Sequence, residues 1–249
     1  MKRKKATGMT DTAAETIDLS SEPRPRMAAF ATLKEKGTDQ PLELVFSDEP
    51  TMLMQAVALM LRNRIHWEIT EATEGAYRVR VVDRDTMTPD SLTDLLSRDH
   101  ERLDRLFAIA LQHANKGEIA EAKPLIESCY QGLQRHIYCE NEVLAPHFGI
   151  PAGGDSESDP PHQMIHEHDN ILGELDQIRE LAAMEELADA SMIAALMGIL
   201  SGTLAKHEGR EEANLFPRWD AALKRHPEPE LLARAQAILD GAEDDHIPY

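Results

Sequence analysis

Two stretches of the sequence decide the fold: HIYCENEVLAPHF at 136–148 and HEGREEANLFPRW at 207–219. In both, a histidine is followed by glutamate four residues later, leucine after eight, proline after ten and an aromatic residue after twelve. The second stretch begins 71 residues after the first. Each is interpreted as the end of a long helix, one starting near 118 and the other near 189.

A weaker repeat lies on the helices that precede these stretches. His100 and His168 each follow an acidic residue, Asp99 or Glu167, and each is followed by apolar residues at the third and seventh positions. These two histidines are 68 residues apart. The chain is therefore predicted to hold two helical hairpins, each with one histidine on its first helix and H-x-x-x-E on its second.

Helical geometry explains why this spacing favours a metal site. Residues four apart on a helix differ by about 40° in direction and about 6 Å in height, so His and Glu can reach one point. A single such pair would be an ordinary surface contact, but two facing hairpins bring four imidazoles and two carboxylates together. The predicted ligands are His100, His136, Glu140, His168, His207 and Glu211. Two ions could each take two histidines while the glutamate carboxylates bridge them, and this set of nitrogen and oxygen ligands suits iron or manganese. Structural zinc sites are usually mononuclear and closed.

The rest of the chain divides by composition and periodicity into an α+β protein with two domains. Residues 1–15 are charged, small and aperiodic, which predicts a disordered N-terminus. Residues 16–88 carry strand and helix signals in the order β-α-β-α-β-β, a small α/β domain in which Thr51 is the predicted N-cap of the second helix. Four long helices predict an antiparallel four-helix bundle over 89–222, followed by a short C-terminal helix and tail over 223–249.

Composition limits the partners and the compartment. The 249 residues include 26 Lys and Arg against 45 Asp and Glu, a net charge of −19 that repels phosphate backbones, so no nucleic-acid partner is predicted. The longest apolar stretch, 52–61, is half of the about 20 residues that a membrane helix needs, so no membrane span is predicted. The basic start lacks the apolar run of a secretory signal. Cys129 and Cys139 cannot form a disulfide framework, so the protein is predicted to be cytoplasmic.

Residues 91–219 resemble the hemerythrin-like HHE cation-binding domain, a four-helix bundle around a non-haem di-iron centre. The matching motifs are DH at 99–100, H-x-x-x-E-x-E at 136–142, EHD at 167–169 and H-x-x-x-E-E-x-x-L-F-P at 207–217. The resemblance implies that the six residues named above are iron ligands, with manganese or zinc less favoured. This set of four His and two Glu is similar to that of the family's repair and sensor-like members.

The third helix offers alternative ligands. His162 and His166 form H-x-x-x-H, the pattern that oxygen-transport hemerythrins carry on this helix, and either can replace His168 in the ligand set. The repeat register and the EHD motif favour His168. His166 lies about 200° around the helix from His168, so both cannot easily point inward.

The N-terminal domain carries a second resemblance. Its element order and the run IDLSSEPRP at 17–25 resemble the TusA-like sulfur-carrier fold, and most closely the DUF2249 family, which is found fused to or encoded with hemerythrin-like bundles. Sulfur carriers present Cys-Pro-x-Pro where this chain has Glu22-Pro23-Arg24-Pro25, so the nucleophile is missing. The segment FSDEP at 46–50 also lacks the histidine often found there in the DUF2249 family. The domain is interpreted as an interaction or regulatory module for a protein partner.

Three functions remain, and the first is preferred. It is a di-iron binding protein that senses or scavenges a small diatomic ligand, O2 or NO, or peroxide. This role has no catalytic residue assigned to it. The second is an enzyme-like role in repairing iron centres, including iron–sulfur centres, or in reducing NO or peroxide. Repair proteins of this group usually carry an N-terminal Cys-Cys pair, and this chain has no cysteine before Cys129. The third is iron buffering, although a lone bundle lacks the cage that bulk storage needs.

Overall fold

The computed structural model describes residues 14–38, 40–61, 64–148, 160–184 and 188–242, and its N-terminal part forms a four-stranded mixed sheet. The strands are β1 (Glu15–Asp18), β2 (Leu42–Phe46), β3 (Ile65–Thr73) and β4 (Ala76–Asp83). They lie in the order β1-β2-β4-β3, with β1 parallel to β2 and the other two pairs antiparallel. The parallel pair needs a crossover connection, which helix α1 (Pro25–Lys36) supplies.

The core of this unit lies between the sheet and its helices. Leu44 and Val79 are paired across β2 and β4, and both are fully buried. Met54 and Val57 of helix α2 (Thr51–Met60) are fully buried in the same cluster. The predicted β-α-β-α-β-β order is therefore confirmed.

The start of α2 differs from the sequence-based prediction. Thr51 was expected to be the N-cap, but it is the first helical residue, and Pro50 before it has no side chain that can cap. The carboxylate of Glu49 accepts a hydrogen bond from the Thr51 backbone N–H at 3.3 Å instead. A carboxylate at this place satisfies a free N–H and interacts favourably with the helix dipole.

The second unit begins at Pro89 and is helical in its described part. Its helices are α3 (Leu92–Asn115), α4 (Ile119–Tyr138), α5 (Ala145–His147), α6 (Pro160–Ala183), α7 (Ala190–Arg210), α8 (Phe216–Arg225) and α9 (Pro229–Leu239). The four long helices pack in a ring, α3 on α4, α4 on α6, α6 on α7 and α7 on α3. This is the predicted four-helix bundle, so the predicted fold class is confirmed. No helix in the described residues is both long and apolar enough to cross a bilayer.

Local signals position the first hairpin of the bundle. The Ser91 hydroxyl caps α3 by accepting the Asp94 N–H at 3.0 Å. Gly132 on α4 lets the two helices approach closely, because a Cβ there would lie 2.5 Å from Cδ2 of Leu103. This close approach lies one turn away from the polar residues described next.

Two apolar clusters fill the bundle, and a polar layer separates them. On α3, Leu96 belongs to one cluster and Leu103 to the other, with Asp99 and His100 between them. On α6, Met164 and Ile171 belong to the two clusters in the same order, with His168 between them. After α4 and α7 the chain passes from the second cluster to the first, at Cys139 and Leu215, close to His136 and His207. The layer is therefore sealed by apolar side chains above and below, and charges within it interact more strongly than they would in water.

Candidate metal centre

Six ionisable side chains meet in the polar layer of the bundle. Each of the four long helices contributes one histidine, and the two glutamates follow α4 and α7. They are His100, His136, His168, His207, Glu140 and Glu211. Each residue is at most 4% exposed, and the only other buried acidic, basic or histidine residue in the described part of the chain is Asp99. The structure thus brings together all six side chains predicted to be ligands.

The four imidazoles form two facing pairs. In the first pair, Nε2 of His100 lies 3.0 Å from Nε2 of His136. In the second, Nε2 of His168 lies 3.0 Å from Nε2 of His207. We refer to His100 and His136 as the α3/α4 half of the centre, and to His168 and His207 as the α6/α7 half.

The outer nitrogen of every imidazole has a partner of its own. Nδ1 lies 2.8–3.1 Å from a side-chain oxygen in all four cases. The pairs are His100 with Glu212, His136 with Asp99, His168 with Asn141, and His207 with Glu167. An ionised carboxylate and an amide oxygen can only accept hydrogen bonds, so each Nδ1 must carry a proton and donate.

With a proton on each Nδ1, the inner nitrogens of each pair, the Nε2 atoms, repel each other. A neutral imidazole protonated at Nδ1 directs a lone pair from Nε2. Two such lone pairs facing each other at 3.0 Å repel unless a cation lies with them. Outer hydrogen bonds that fix the imidazole tautomer in this way are the usual surroundings of metal-binding histidines.

The two glutamates reach from one half of the centre to the other. The two carboxylate oxygens of Glu140 lie 3.3 Å from Nε2 of His136 and 3.2 Å from Nε2 of His168. Those of Glu211 lie 3.4 Å from Nε2 of His100 and 3.1 Å from Nε2 of His207. None of these four oxygens has a conventional hydrogen-bond donor among the described residues. Buried carboxylate oxygens are costly without a partner, which a cation would supply.

These contacts define two overlapping groups of ligand atoms. One contains His100, His136 and both glutamates, and the other contains His168, His207 and both glutamates. Within each group, the ligand atoms lie within 4.8 Å of one another. The donors therefore fit one ion in each half with the two carboxylates shared, a nitrogen and oxygen set that suits iron or manganese.

The same contacts stabilise protons when no metal is bound. Burial lowers the pKa of His136, but the charge of Glu140 and the hydrogen bond to Asp99 raise it to about 9. Burial likewise opposes the charge on His100 and His168, yet the neighbouring carboxylates, Glu211 for both, raise both pKa values. For Glu140 and Glu211, burial raises the pKa, and the neighbouring histidines outweigh it and lower both values.

Both glutamates lie at the start of a π-helical turn. The Ala145 N–H bonds to the Glu140 carbonyl and the Phe216 N–H to that of Glu211, five residues back in each case. Proline comes next each time, as Pro146 and Pro217, and its missing N–H and its ring disrupt the normal four-residue ladder. Such wide turns are rare and are frequent at functional sites. Both prolines are part of the sequence repeat, but the wide turns beside them were not predicted from it.

Two partners of the imidazoles, Asn141 and Glu212, were not predicted from the sequence. Each follows a centre glutamate directly, so the signal was its place in the repeat. Each reaches a histidine of the other hairpin, His168 for Asn141 and His100 for Glu212. A contact between hairpins depends on how they pack, which helical periodicity does not show.

On α6, the third long helix, His168 and His166 point in different directions. His168 is fully buried in the centre, whereas His166 is exposed on the opposite side of α6. The side chain of His162 lies outside the described residues. The geometry therefore supports His168 over His166 as the candidate ligand on this helix.

A cavity of about 240 Å³ borders one half of the centre. It reaches His207 and Glu211 but neither histidine of the α3/α4 half. The exposed side chains of Arg210 and Arg218 line its solvent side. Small molecules or ions thus have a route toward the α6/α7 half.

Fold and site together define a helical-bundle protein with a buried histidine and glutamate site that fits metal ions. In a comparison with protein families, residues 91–219 match the hemerythrin HHE cation binding domain. This match covers more than half of the chain, and the protein belongs to that family. No curated protein and no solved structure matches the chain. The match does not include residues 16–88, so the resemblance of that domain to the DUF2249 family stays a prediction.

Proposed function

We propose that the bundle holds a dinuclear iron centre and that the protein senses or scavenges O2, NO or peroxide. His100 and His136 would hold one iron, His168 and His207 the other. Glu140 and Glu211 would be shared by both. Manganese fits the same donors, and zinc is less favoured because its structural sites are usually closed and mononuclear.

The observation that carries this proposal is the pair of facing Nε2 contacts at 3.0 Å, repeated in both halves. Four outer hydrogen bonds hold the protons away from these atoms, so the lone pairs converge where a cation would lie. The shared carboxylates provide the negative charge that two adjacent cations need.

In this proposal, the metal ions, the outer carboxylates and the apolar clusters have separate roles. The iron pair would supply reversible binding or reduction of a small ligand. The carboxylates of Asp99 and Glu167 hold two imidazoles in one orientation, which keeps the donor set rigid. The apolar clusters on both sides exclude bulk water, and the cavity beside His207 admits only a small molecule. We assign no catalytic residue, because a binding or sensing role needs none.

Two other roles use the same centre. One is repair of iron centres, including iron–sulfur centres, or reduction of NO or peroxide, and the other is iron buffering. In proteins that repair such centres, an N-terminal Cys-Cys pair is usual, whereas both cysteines of this chain lie in the bundle and are buried. For Cys129, burial raises the pKa of the thiol to about 12, which makes it a poor nucleophile. Both observations favour the binding role.

Anaerobic reconstitution with Fe(II), followed by optical spectra after separate additions of O2 and NO, tests the proposal. A stable and reversible adduct supports the binding role, and rapid turnover supports the enzyme-like alternative. Fewer than two irons per chain at saturation would contradict the dinuclear centre. His100→Gln should lower the iron content, whereas His66→Gln, which removes an exposed histidine from the N-terminal unit, is the matched control and should not.

We also propose that the N-terminal unit is similar to the DUF2249 family and that it binds a protein partner in the cytoplasm. Helix α2 has no charged residue, and its outer side chains Met52 and Leu59 are 76% and 69% exposed. A helix that is apolar on both faces is usually covered on both. Arg24 and Arg26 line a groove beside Met52, which favours a partner with acidic residues around an apolar anchor.

A photo-crosslinker in place of Leu59 tests this interface, with the same group at Met192, an exposed methionine of α7, as the control. Crosslinking of one partner from position 59, and its loss after Arg24→Glu and Arg26→Glu, would support the interface. Equal crosslinking from position 192, or no effect of the charge reversal, would contradict it.

A further inference from the structure

The histidines and the acids that hold them lie at equivalent positions of the internal repeat, whereas the arginines that pair with these acids do not. In each hairpin, the acidic residue before the first histidine accepts a hydrogen bond from Nδ1 of the second histidine, and an arginine pairs with the same acid. The sets are Asp99, His136 and Arg102 in one half, and Glu167, His207 and Arg210 in the other. In both halves, the charge of this acid is balanced by the arginine.

Among the outer partners of the four histidines, one equivalent pair of positions differs in charge. Asn141 and Glu212 lie 71 residues apart and directly follow the shared glutamates. The Asn141 amide oxygen accepts from Nδ1 of His168 at 2.8 Å, whereas a Glu212 carboxylate oxygen accepts from Nδ1 of His100 at 3.1 Å. The α3/α4 half therefore carries one more negative charge in its outer hydrogen bonds than the α6/α7 half.

This difference acts on a bound cation through the imidazole. A carboxylate that accepts the outer N–H makes the imidazole a more basic ligand and attracts the cation at short range. A neutral amide fixes the same tautomer but adds no charge. Loss of such an outer partner typically costs about 10–100-fold in metal affinity.

The two halves also differ in their access from solvent. The cavity of about 240 Å³ contacts His207 and Glu211, and no histidine of the α3/α4 half lines it. Through this cavity, a chelator or an incoming ion reaches the α6/α7 half first. The hydrogen bonds and the cavity are separate observations. Both indicate that a metal ion in the α6/α7 half exchanges more readily.

We propose that the two metal positions are inequivalent and that the position between His168 and His207 binds metal more weakly and exchanges it first. Asn141 is the positioning residue that sets this order, because it stands where the other half has Glu212. This inference rests on the proposed dinuclear centre. In such a centre, one ion is retained and the other is exchangeable.

Release of Fe(II) from the full-length loaded protein to a ferrous chelator, followed anaerobically by absorbance, tests the order. Wild-type protein should release its iron in two phases of equal amplitude. Asn141→Asp should slow the fast phase about 10–100-fold and leave the slow phase unchanged. Glu212→Gln should speed the slow phase by a similar factor and leave the fast phase unchanged.

The double variant Asn141→Asp with Glu212→Gln exchanges the two outer partners at constant net charge, so it separates the local effect from the total charge. The two release rates should then approach each other or change places. Because the Glu212 side chain is 41% exposed, Glu212→Gln should fold even if a second acid beside Glu140 destabilises the other variants.

Two outcomes overturn the inference in different ways. Two irons that leave in a single phase from wild type and variants alike, or an effect of Asn141→Asp on the slow phase only, refute the inequivalence and leave the dinuclear centre intact. A wild-type chain that binds fewer than two irons at saturation refutes the proposed centre itself, and the inference with it.

Discussion

Raising the pH should destabilise the metal-free protein but not the metal-loaded one. Without metal, protons on the centre histidines balance Glu140 and Glu211. In His136, burial lowers the pKa, but Glu140 and Asp99 raise it to about 9, against about 6.5 for a free histidine. A folded pKa above the unfolded one contributes stability that is complete below about pH 6.5 and is lost as the pH rises through 9.

The size of the effect follows from the His136 pKa alone. One pKa unit corresponds to about 1.4 kcal/mol, so the loss between pH 6.5 and 9 is about 3 kcal/mol. For a domain of this size, that lowers the melting temperature by roughly 6–12 °C. The raised pKa values of His100 and His168 act in the same direction. Metal binding requires neutral histidines, so the loaded protein keeps its stabilisation at high pH and loses it below about pH 5–6, where protons compete.

Thermal melts of metal-free and iron-loaded protein at pH 5.5, 7.5 and 9 measure this effect. The gap between the two melting temperatures should widen at each step. In the metal-free His136→Gln variant, the decline between pH 6.5 and 9 should be smaller, while His166→Gln, at an exposed position of α6, should match the wild type. A metal-free melting temperature that stays level or rises over this range, or a gap that does not change with pH, would refute the reasoning.

Three further predictions concern the ligands and the domain division. Elemental analysis should find about two iron or manganese ions per chain, and His100→Ala or Glu211→Ala should lower this number; one zinc per chain, or no dependence on these residues, would contradict it. On the third helix, His168→Ala should disrupt the iron spectrum and His166→Ala should leave it nearly intact; the reverse would move the site half a turn around the helix. A chain that starts near Thr88 should fold, by circular dichroism, and still bind iron, because all six candidate ligands follow it; a folded bundle that cannot hold iron would make the α/β unit part of the site.

The candidate ligands could be chosen from the sequence because they follow a local rule. His136 and Glu140 are four residues apart, so helix geometry alone places them on one face. His207 and Glu211 repeat the pattern, and apolar residues at helical spacing predicted that these faces turn inward. Local periodicity was sufficient for these four residues, since it depends only on the backbone of one helix.

Contacts between separate segments followed no such rule. The sequence could not show that Asn141 reaches His168 and Glu212 reaches His100, because those pairs form only when the two hairpins pack. The N-terminus of α2 is a smaller example, since Glu49 rather than Thr51 provides the cap. In each case, the partner depends on the distance and direction between side chains, which the order of residues does not contain.

The sequence by itself determined the long helices, their apolar faces and the six candidate ligands. The 3.6-residue period of a single helix is enough for the helices and for the two His–Glu pairs, and the internal repeat adds His100 and His168. The tertiary structure decided which imidazoles pair, which carboxylates connect the halves and where a cavity opens beside the centre. It also decided that the halves differ. The internal repeat makes them look alike, and only the packing of one hairpin against the other sets an amide beside one histidine and a carboxylate beside its counterpart.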